Sequence, residues 1–193
     1  MATMNTLPLT KDWLSPATAA LLVAAGGALT IAGAWIFQYG FGFAPCPLCL
    51  QQRWPYYIAI PLSLVVAFGA WRGLPPRWLR GGLVLVALIM LAGAALGAYH
   101  AGVEWKWWPG PQGCAQAGSP AGGSASDLLR RMQTAQVVAC DEAAWRDPVL
   151  GQSLAGWNVL ISLALAGIAA AGALSRRASP RRSVEDGSAH RAR

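Results

Sequence analysis

Charge is what this sequence has least of. Only 12% of its 193 residues are Asp, Glu, Lys or Arg, about half the share usual in soluble domains. Histidine is scarcer still: His100 and His190 are the two present. A haem-binding membrane protein needs facing histidines within its helices, so that class drops out. Cysteine is limited to four residues in two separated pairs, Cys46 with Cys49 and Cys114 with Cys140. A Cys-x-x-Cys pair reads either as a metal site or as a redox centre, and the compartment it faces decides between them.

What is present is apolar sequence, 55% of the chain. A helix needs about 20 apolar residues to cross the roughly 30 Å hydrocarbon core. Four stretches meet that length, at about 17–37, 47–71, 81–100 and 154–174. The first resembles a signal peptide in having Ala32-Gly33-Ala34, but its apolar run exceeds the ~7–15 residues of a signal core. An uncleaved helix is expected. Pro55 and Pro61 are expected to kink or loosen the second span. Arg72 to Arg80, with Pro75 and Pro76, reads as a tight basic turn, and Gln38 to Pro45 as a short loop. The small residues Ala92 to Ala98 let another helix approach the third span closely.

Segment 101–152 is the long polar region. Trp105, Trp107 and Trp108 beside Glu104 and Lys106 suit the headgroup layer. Ala117 to Ser126 is rich in Gly, Ser and Ala and reads as a flexible link. Asp127 to Val138 reads as a short helix, either lying on the bilayer or an ordinary loop helix. Residues 176–193 are basic and poor in apolar side chains, as in a disordered tail. The fold class expected is an all-α integral membrane protein, a single four-transmembrane-helix domain over 1–175 followed by that tail.

Charge then orients the chain. With both termini and the 72–80 turn on one side, that side carries ten Lys/Arg against three Asp/Glu, and the other carries five of each. Excess Lys/Arg marks the cytoplasmic face. Both termini are therefore expected in the cytoplasm, with both cysteine pairs outside. The net charge of +7 follows from topology and anionic lipid, so no nucleic-acid partner is required.

Cys46 and Cys49 sit where a helix should begin, with Pro47 suited to its first turn. A helix N-terminus and a nearby cation favour thiolate, and apolar burial opposes it. Arg53 lies four residues beyond Cys49, on the same helical face. It is the one charge between Asp12 and Arg72, and a charge at membrane depth is costly and usually functional. The plainer alternative is that Arg53 snorkels to headgroups. Cys114 and Cys140, 26 positions apart, form either a structural disulfide or a second redox pair able to exchange with the first. His100 ends the third span on the same side, either as a polar anchor or as a proton-moving group near Cys46 and Cys49. Asn158 reads as interhelical packing. A Cys₄ zinc site is possible in principle, but paired disulfides compete better in an oxidising compartment, and no metal is expected.

Cys46-Pro-Leu-Cys49-Leu-Gln-Gln-Arg53, the four spans, Tyr99-His100-Ala-Gly-Val-Glu104-Trp105 ahead of Cys114, and Ser153-Leu-Ala-Gly-Trp157-Asn158 resemble the bacterial DsbB family. Its members are inner-membrane disulfide bond formation proteins. The resemblance implies catalytic Cys46, Cys49, Cys114 and Cys140, with Arg53 and His100 at a quinone site, ubiquinone being the quinone expected. A reduced periplasmic thioredoxin-fold oxidase, DsbA, would attack a Cys114–Cys140 disulfide, with Cys114 taking the mixed disulfide. Electrons would pass to Cys46–Cys49, and Cys49 would contact the quinone. A dedicated partner in place of DsbA, or a non-enzymatic scaffold with structural disulfides, are the alternatives. Some members of the family carry Glu before the arginine. Gln52 stands there in this chain and cannot pair with Arg53 as a charge; it either leaves Arg53 freer for thiolate or quinone or marks a subfamily with another partner.

Overall fold

The computed structural model describes residues 14–111 and 140–175. Cys114, the expected helix at 127–138, the 117–126 link and the 176–193 tail lie outside the described residues. Within them the protein is all-helical, with no strand and one isolated bridge, Arg146 to Ser153. Four helical segments are long and apolar enough to cross a membrane: Pro16–Gly40, Pro47–Trp71, Pro76–Glu104 and Leu154–Leu174.

Helix α1 (Pro16–Trp35) starts at Ser15, whose Oγ accepts from the Thr18 N–H, with Pro16 in the first turn. It does not stop at residue 37. It widens into a π-helical turn, Ile36–Gly40, so part of the expected Gln38–Pro45 loop is helical. The second span is two helices, α2 (Pro47–Gln51) and α3 (Trp54–Trp71). The interruption at Gln52 and Arg53 has a local cause. Pro55 has no N–H to offer the carbonyl of Gln51, so regular bonding cannot run through. The Arg53 N–H turns instead to Leu50 O, and α-helical bonding resumes with Tyr57 N–H to Arg53 O. Pro61 lies within α3 without dividing it.

After Arg72 the chain turns at Gly73, in the left-handed region at φ 77°, where glycine carries no steric cost. The expected turn through Arg80 is shorter than the sequence suggested. Helix α4 (Pro76–Glu104) begins at Pro76, so Arg77 and Arg80 lie within it. A proline at the first position loses nothing, because that N–H has no helical partner. Helix α4 ends at Glu104, with Trp105 as its cap. Lys106 takes φ 61°, its N–H bonds Val103 O, and the Trp107 N–H bonds Gly102 O. These two bonds satisfy the last carbonyls of the helix. Helix α5 (Leu154–Leu174) is capped by Ser153 Oγ, accepting from the Gly156 N–H.

The most extensive pairings are α4 with α5 and α1 with α3. Their shared core includes Val23, Tyr56, Leu83, Val86, Met90 and Ala169. Outward faces are as apolar as the core: Leu29, Val65 and Leu174 are among the large exposed side chains. A helix apolar on all sides belongs in lipid or deep protein. Small residues set the close contacts. A Cβ at Gly172 would stand 2.3 Å from the Ala19 Cβ, which cannot swing away. Gly172→Val should therefore cost about 1–3 kcal/mol by forcing α1 and α5 apart. Gly167→Ala, with open space around its Cβ, should leave stability unchanged or slightly raised. Unfolding midpoints in detergent check both, and equal midpoints for the two variants would refute the close α1–α5 contact.

Candidate functional site

Cys46 precedes the first turn of α2 and acts as its cap, the Sγ accepting from the Cys49 N–H at 3.2 Å. This cap is why Cys-x-x-Cys works at a helix start: one turn brings the two side chains together. The Sγ atoms of Cys46 and Cys49 lie 2.8 Å apart as a hydrogen-bonded dithiol. Cys46 is buried, while Cys49 is partly open. The Cys46 thiol, one residue outside the second span, is held well below its ordinary pKa, to about 5. The hydrogen bond from Cys49 is the main cause, burial opposes it, and a hydrogen bond from His100 adds to the lowering.

Helix α4 brings His100 to this pair from 54 positions away, with Nε2 3.7 Å from Cys46 Sγ. The ring is buried, and its other nitrogen is engaged as well, Gln52 Nε2 lying 2.6 Å from His100 Nδ1. From Gln52 a polar chain runs inward. Asn158 Nδ2 donates to Gln52 Oε1 at 2.7 Å, the Tyr56 hydroxyl donates to Asn158 Oδ1 at 2.7 Å, and Ser162 Oγ lies 2.9 Å from Tyr56. Asn158, expected to be packing, thus joins helices through hydrogen bonds. Gln52 is turned towards His100, away from Arg53.

Glu104, beside the tryptophans in sequence and expected with them in the headgroup layer, is instead only 8% exposed. Its Oε1 is 3.9 Å from His100 Nε2, and its Oε2 has no hydrogen-bond partner among the described residues. The i,i+4 spacing from His100 is the signal that could have found it. Trp105, Trp107 and Trp108 do remain exposed. Trp108 covers Gly102 closely enough that any Cβ there would collide with its ring.

Cys140 reaches the same place from the polar segment. It is disulfide-bonded and buried in one cluster with Cys46, Leu48 and Val103, with Cys49 packed against it. Its backbone hydrogen-bonds the His100 ring. Two contacts tether the residues that follow. Lys106 pairs with Asp141 across the surface, holding that carboxyl below its usual range. Trp145 packs on Phe37, their ring centroids 5.3 Å apart.

Beside Cys49 lies a cavity of about 460 Å³ between the first and last spans. Leu29, Ile31, Ala34, Phe37, Phe43, Trp157 and Ile161 give it apolar walls, and Cys49, Gln52, Arg53, His100 and Asn158 supply its polar edge. Arg53 Nη1 donates to Gln38 Oε1 at 2.8 Å. Among the described residues it pairs with no carboxylate, and a guanidinium has five N–H groups in all. The structure thus brings Cys46, Cys49, Cys140, Arg53 and His100 together. Cys46, Cys49 and His100 also offer three donor atoms within 4.8 Å of one another, the donor types that zinc takes.

In the reduced protein, alkylation of Cys46 mapped by mass spectrometry should stay near its plateau at pH 7 and fall only as the pH nears about 5. An ordinary thiol, with a pKa of about 8.5, loses about tenfold in rate per pH unit below that value. An ordinary profile at Cys46 would rule out thiolate stabilisation by its neighbours.

Comparison with known proteins bears on this geometry. The chain is 27% identical over 146 residues to an uncharacterized protein of Rickettsia prowazekii (strain Madrid E), covering 71% of this chain and 76% of that one. It is 28% identical over 99 residues to a "Disulfide bond formation protein B" of Paracidovorax citrulli (strain AAC00-1), covering 50% of this chain and 54% of that relative. No solved structure matches significantly. The family model described as "Disulfide bond formation protein DsbB" matches residues 16–172, from the start of the first span to two residues short of the end of the fourth. On that match the chain belongs to the DsbB family, whose members form disulfide bonds.

Proposed function

We propose that this protein is a quinone-dependent protein-thiol oxidoreductase that reoxidises a periplasmic DsbA-like thiol oxidase. It works as one membrane domain in the bacterial inner membrane, with both termini and the 176–193 tail cytoplasmic and both cysteine pairs periplasmic. The observation that carries this reading is the position of the dithiol between two neighbours. On one side Cys46 shares a buried cluster with Cys140. On the other, Cys49 and Arg53 line one apolar cavity.

The cavity fits a quinone. Its volume of about 460 Å³ lies in the usual range of small-molecule sites, which are apolar with a few placed polar groups. Arg53 would donate to a carbonyl oxygen there, and the apolar side chains of α1 and α5 would hold the ring and tail. When bound, a quinone supplies an acceptor of two electrons and two protons. The protein's own residues do the rest.

A partner thiolate attacks the disulfide of the polar segment, Cys114 takes the mixed disulfide, and Cys140 is released as thiolate. Its burial beside Cys46 turns the next step into an intramolecular one. Cys140 attacks an oxidised Cys46–Cys49 pair at Cys46, forming a Cys46–Cys140 bond and breaking Cys46–Cys49. Cys49 leaves as thiolate, facing the cavity. The partner's second thiolate attacks the partner sulfur of the mixed disulfide, which forms the partner's own disulfide and expels Cys114. Cys114 then attacks Cys46–Cys140 at Cys140, re-forming Cys114–Cys140 and leaving Cys46 and Cys49 reduced.

The test is quinone reduction, followed by absorbance, when purified protein in detergent receives reduced DsbA-like oxidase and a soluble ubiquinone analogue. Turnover should require Cys46, Cys49, Cys114 and Cys140. Cys114→Ser should abolish exchange with the oxidase and leave quinone binding intact. Arg53→Gln should raise the KM for quinone about tenfold or more, the scale of one lost charge-assisted hydrogen bond. Normal partner oxidation by Cys114→Ser would overturn the division of labour. Redox-inert cysteines with no quinone bound would assign them a structural role.

A further inference from the structure

We infer that Gln52 is a positioning residue which fixes the tautomer of His100, so that the imidazole keeps its proton on Nε2 and presents it to the Cys46 sulfur. The inference rests on the reading of Cys46 as a redox thiol, but its test does not depend on quinone or partner turnover.

An imidazole between two hydrogen-bonding neighbours takes the tautomer that the more constrained neighbour dictates. Here Nδ1 faces Gln52 Nε2 at 2.6 Å, and Nε2 faces Cys46 Sγ at 3.7 Å and Glu104 Oε1 at 3.9 Å. The Cys140 backbone also bonds the ring, and Glu104 Oε1, like a backbone carbonyl, takes only a ring N–H. A side-chain amide has a donor end and an acceptor end, so either orientation of Gln52 would suit a histidine taken alone. The polar chain removes that freedom. Asn158 Nδ2 lies 2.7 Å from Gln52 Oε1 and 3.5 Å from the carbonyl oxygen of Gly93. A carbonyl only accepts, so the Asn158 atom nearest it must be the donor NH₂. Asn158 Oδ1 is then the acceptor for the Tyr56 hydroxyl, at 2.7 Å.

Read outward from Tyr56, each bond sets the next. Asn158 donates to Gln52 Oε1, which leaves Gln52 Nε2 to donate to His100 Nδ1. That nitrogen must then be unprotonated, and the proton of the neutral ring sits on Nε2. Reversing Gln52 would set its NH₂ against the Asn158 NH₂, whichever nitrogen of His100 carries the proton. Gln52, Tyr56 and His100 are 7%, 2% and 3% exposed, so little water is at hand to repair such a contact.

The consequence is a division of roles at Cys46. With Nδ1 occupied by a donor, His100 is placed to donate to a thiolate through Nε2, not to take the thiol's proton there. A glutamate at position 52 would reverse the demand on Nδ1, because a carboxylate only accepts. It would draw a proton onto Nδ1 and leave His100 doubly protonated, still a donor to Cys46. Leucine would make no demand at all.

The chain contains two histidines, His100 and His190, so His190→Gln leaves one imidazole to observe. In the full-length reduced protein in detergent, ¹⁵N-histidine NMR near pH 7.5 should show an unprotonated Nδ1 and a protonated Nε2. Q52L should lose that preference, and Q52E should show both nitrogens protonated. Alkylation of Cys46 should slow about tenfold in Q52L and match or exceed the parent rate in Q52E. A protonated Nδ1 in the His190→Gln parent, in which Gln52 and its partners are unaltered, would overturn the inference. So would a parent-like spectrum or an unchanged alkylation rate in Q52L. The expected spectra in a protein that fails to reduce quinone would keep this inference and defeat the proposed function.

Discussion

An apolar bundle can hold polar groups only if they satisfy one another, and that constraint organises the centre of this protein. Tyr56, Asn158, Gln52 and His100 are joined by successive hydrogen bonds of 2.6 to 2.7 Å. They come from α3, α5, the break before α3, and α4. Each would be costly alone. Together they pin three spans around one point and end at the Cys46 sulfur. The chemistry of the thiol and the packing of the helices therefore rest on the same bonds.

The break at Gln52 and Arg53 makes this possible. In an uninterrupted helix, adjacent side chains are fixed about 100° apart on one cylinder. Here the missing N–H of Pro55 loosens the turn, and the two residues serve different partners. Gln52 points to His100 inside the bundle, while Arg53 reaches Gln38 in the π-helical turn after α1 and the edge of the cavity. The guanidinium is thus kept apart from the neutral chain that governs His100. A cation placed against Gln52 would compete for its Oε1 and weaken the polarity of the whole chain.

Much of the architecture was legible because lipid demands long apolar runs, and those runs are visible without any knowledge of packing. The four spans emerged near their observed bounds. The ends were harder. Helix α4 starts at Pro76 because proline suits a first turn, whereas a Pro-Pro pair among arginines reads equally well as a turn. Proline was noticed in the second span, yet the sequence offers no way to see that Pro55 divides it and Pro61 does not. At the site, cysteine and arginine stand out by chemistry and rarity. Gln52, Asn158, Tyr56 and Glu104 do not, because their importance comes from contacts across 48 to 106 positions or from burial of a charge at a helix end. Cys114 lies outside the described residues, and the proposed exchange with the first pair is carried by Cys140.

The two sides of the dithiol are held in different ways, and the difference suits a relay. Towards the cavity, Cys49 sits on a helix start fixed by its own cap and by packing of the spans. Towards the polar segment, Cys140 is buried beside Cys46, but the residues following it are tethered by an exposed Lys106–Asp141 pair and one aromatic contact, Phe37 with Trp145. Exposed ion pairs stabilise little and weaken with salt. The exposed pair therefore adds little, and the segment is held chiefly by buried Cys140 and by the Arg146–Ser153 bridge. In the proposed exchange, burial of Cys140 beside Cys46 would give the encounter its precision. For the function proposed above, firm support towards the cavity and lighter support towards the polar segment would let the dithiol meet a large, diffusing partner at one end and a small lipid-soluble acceptor at the other.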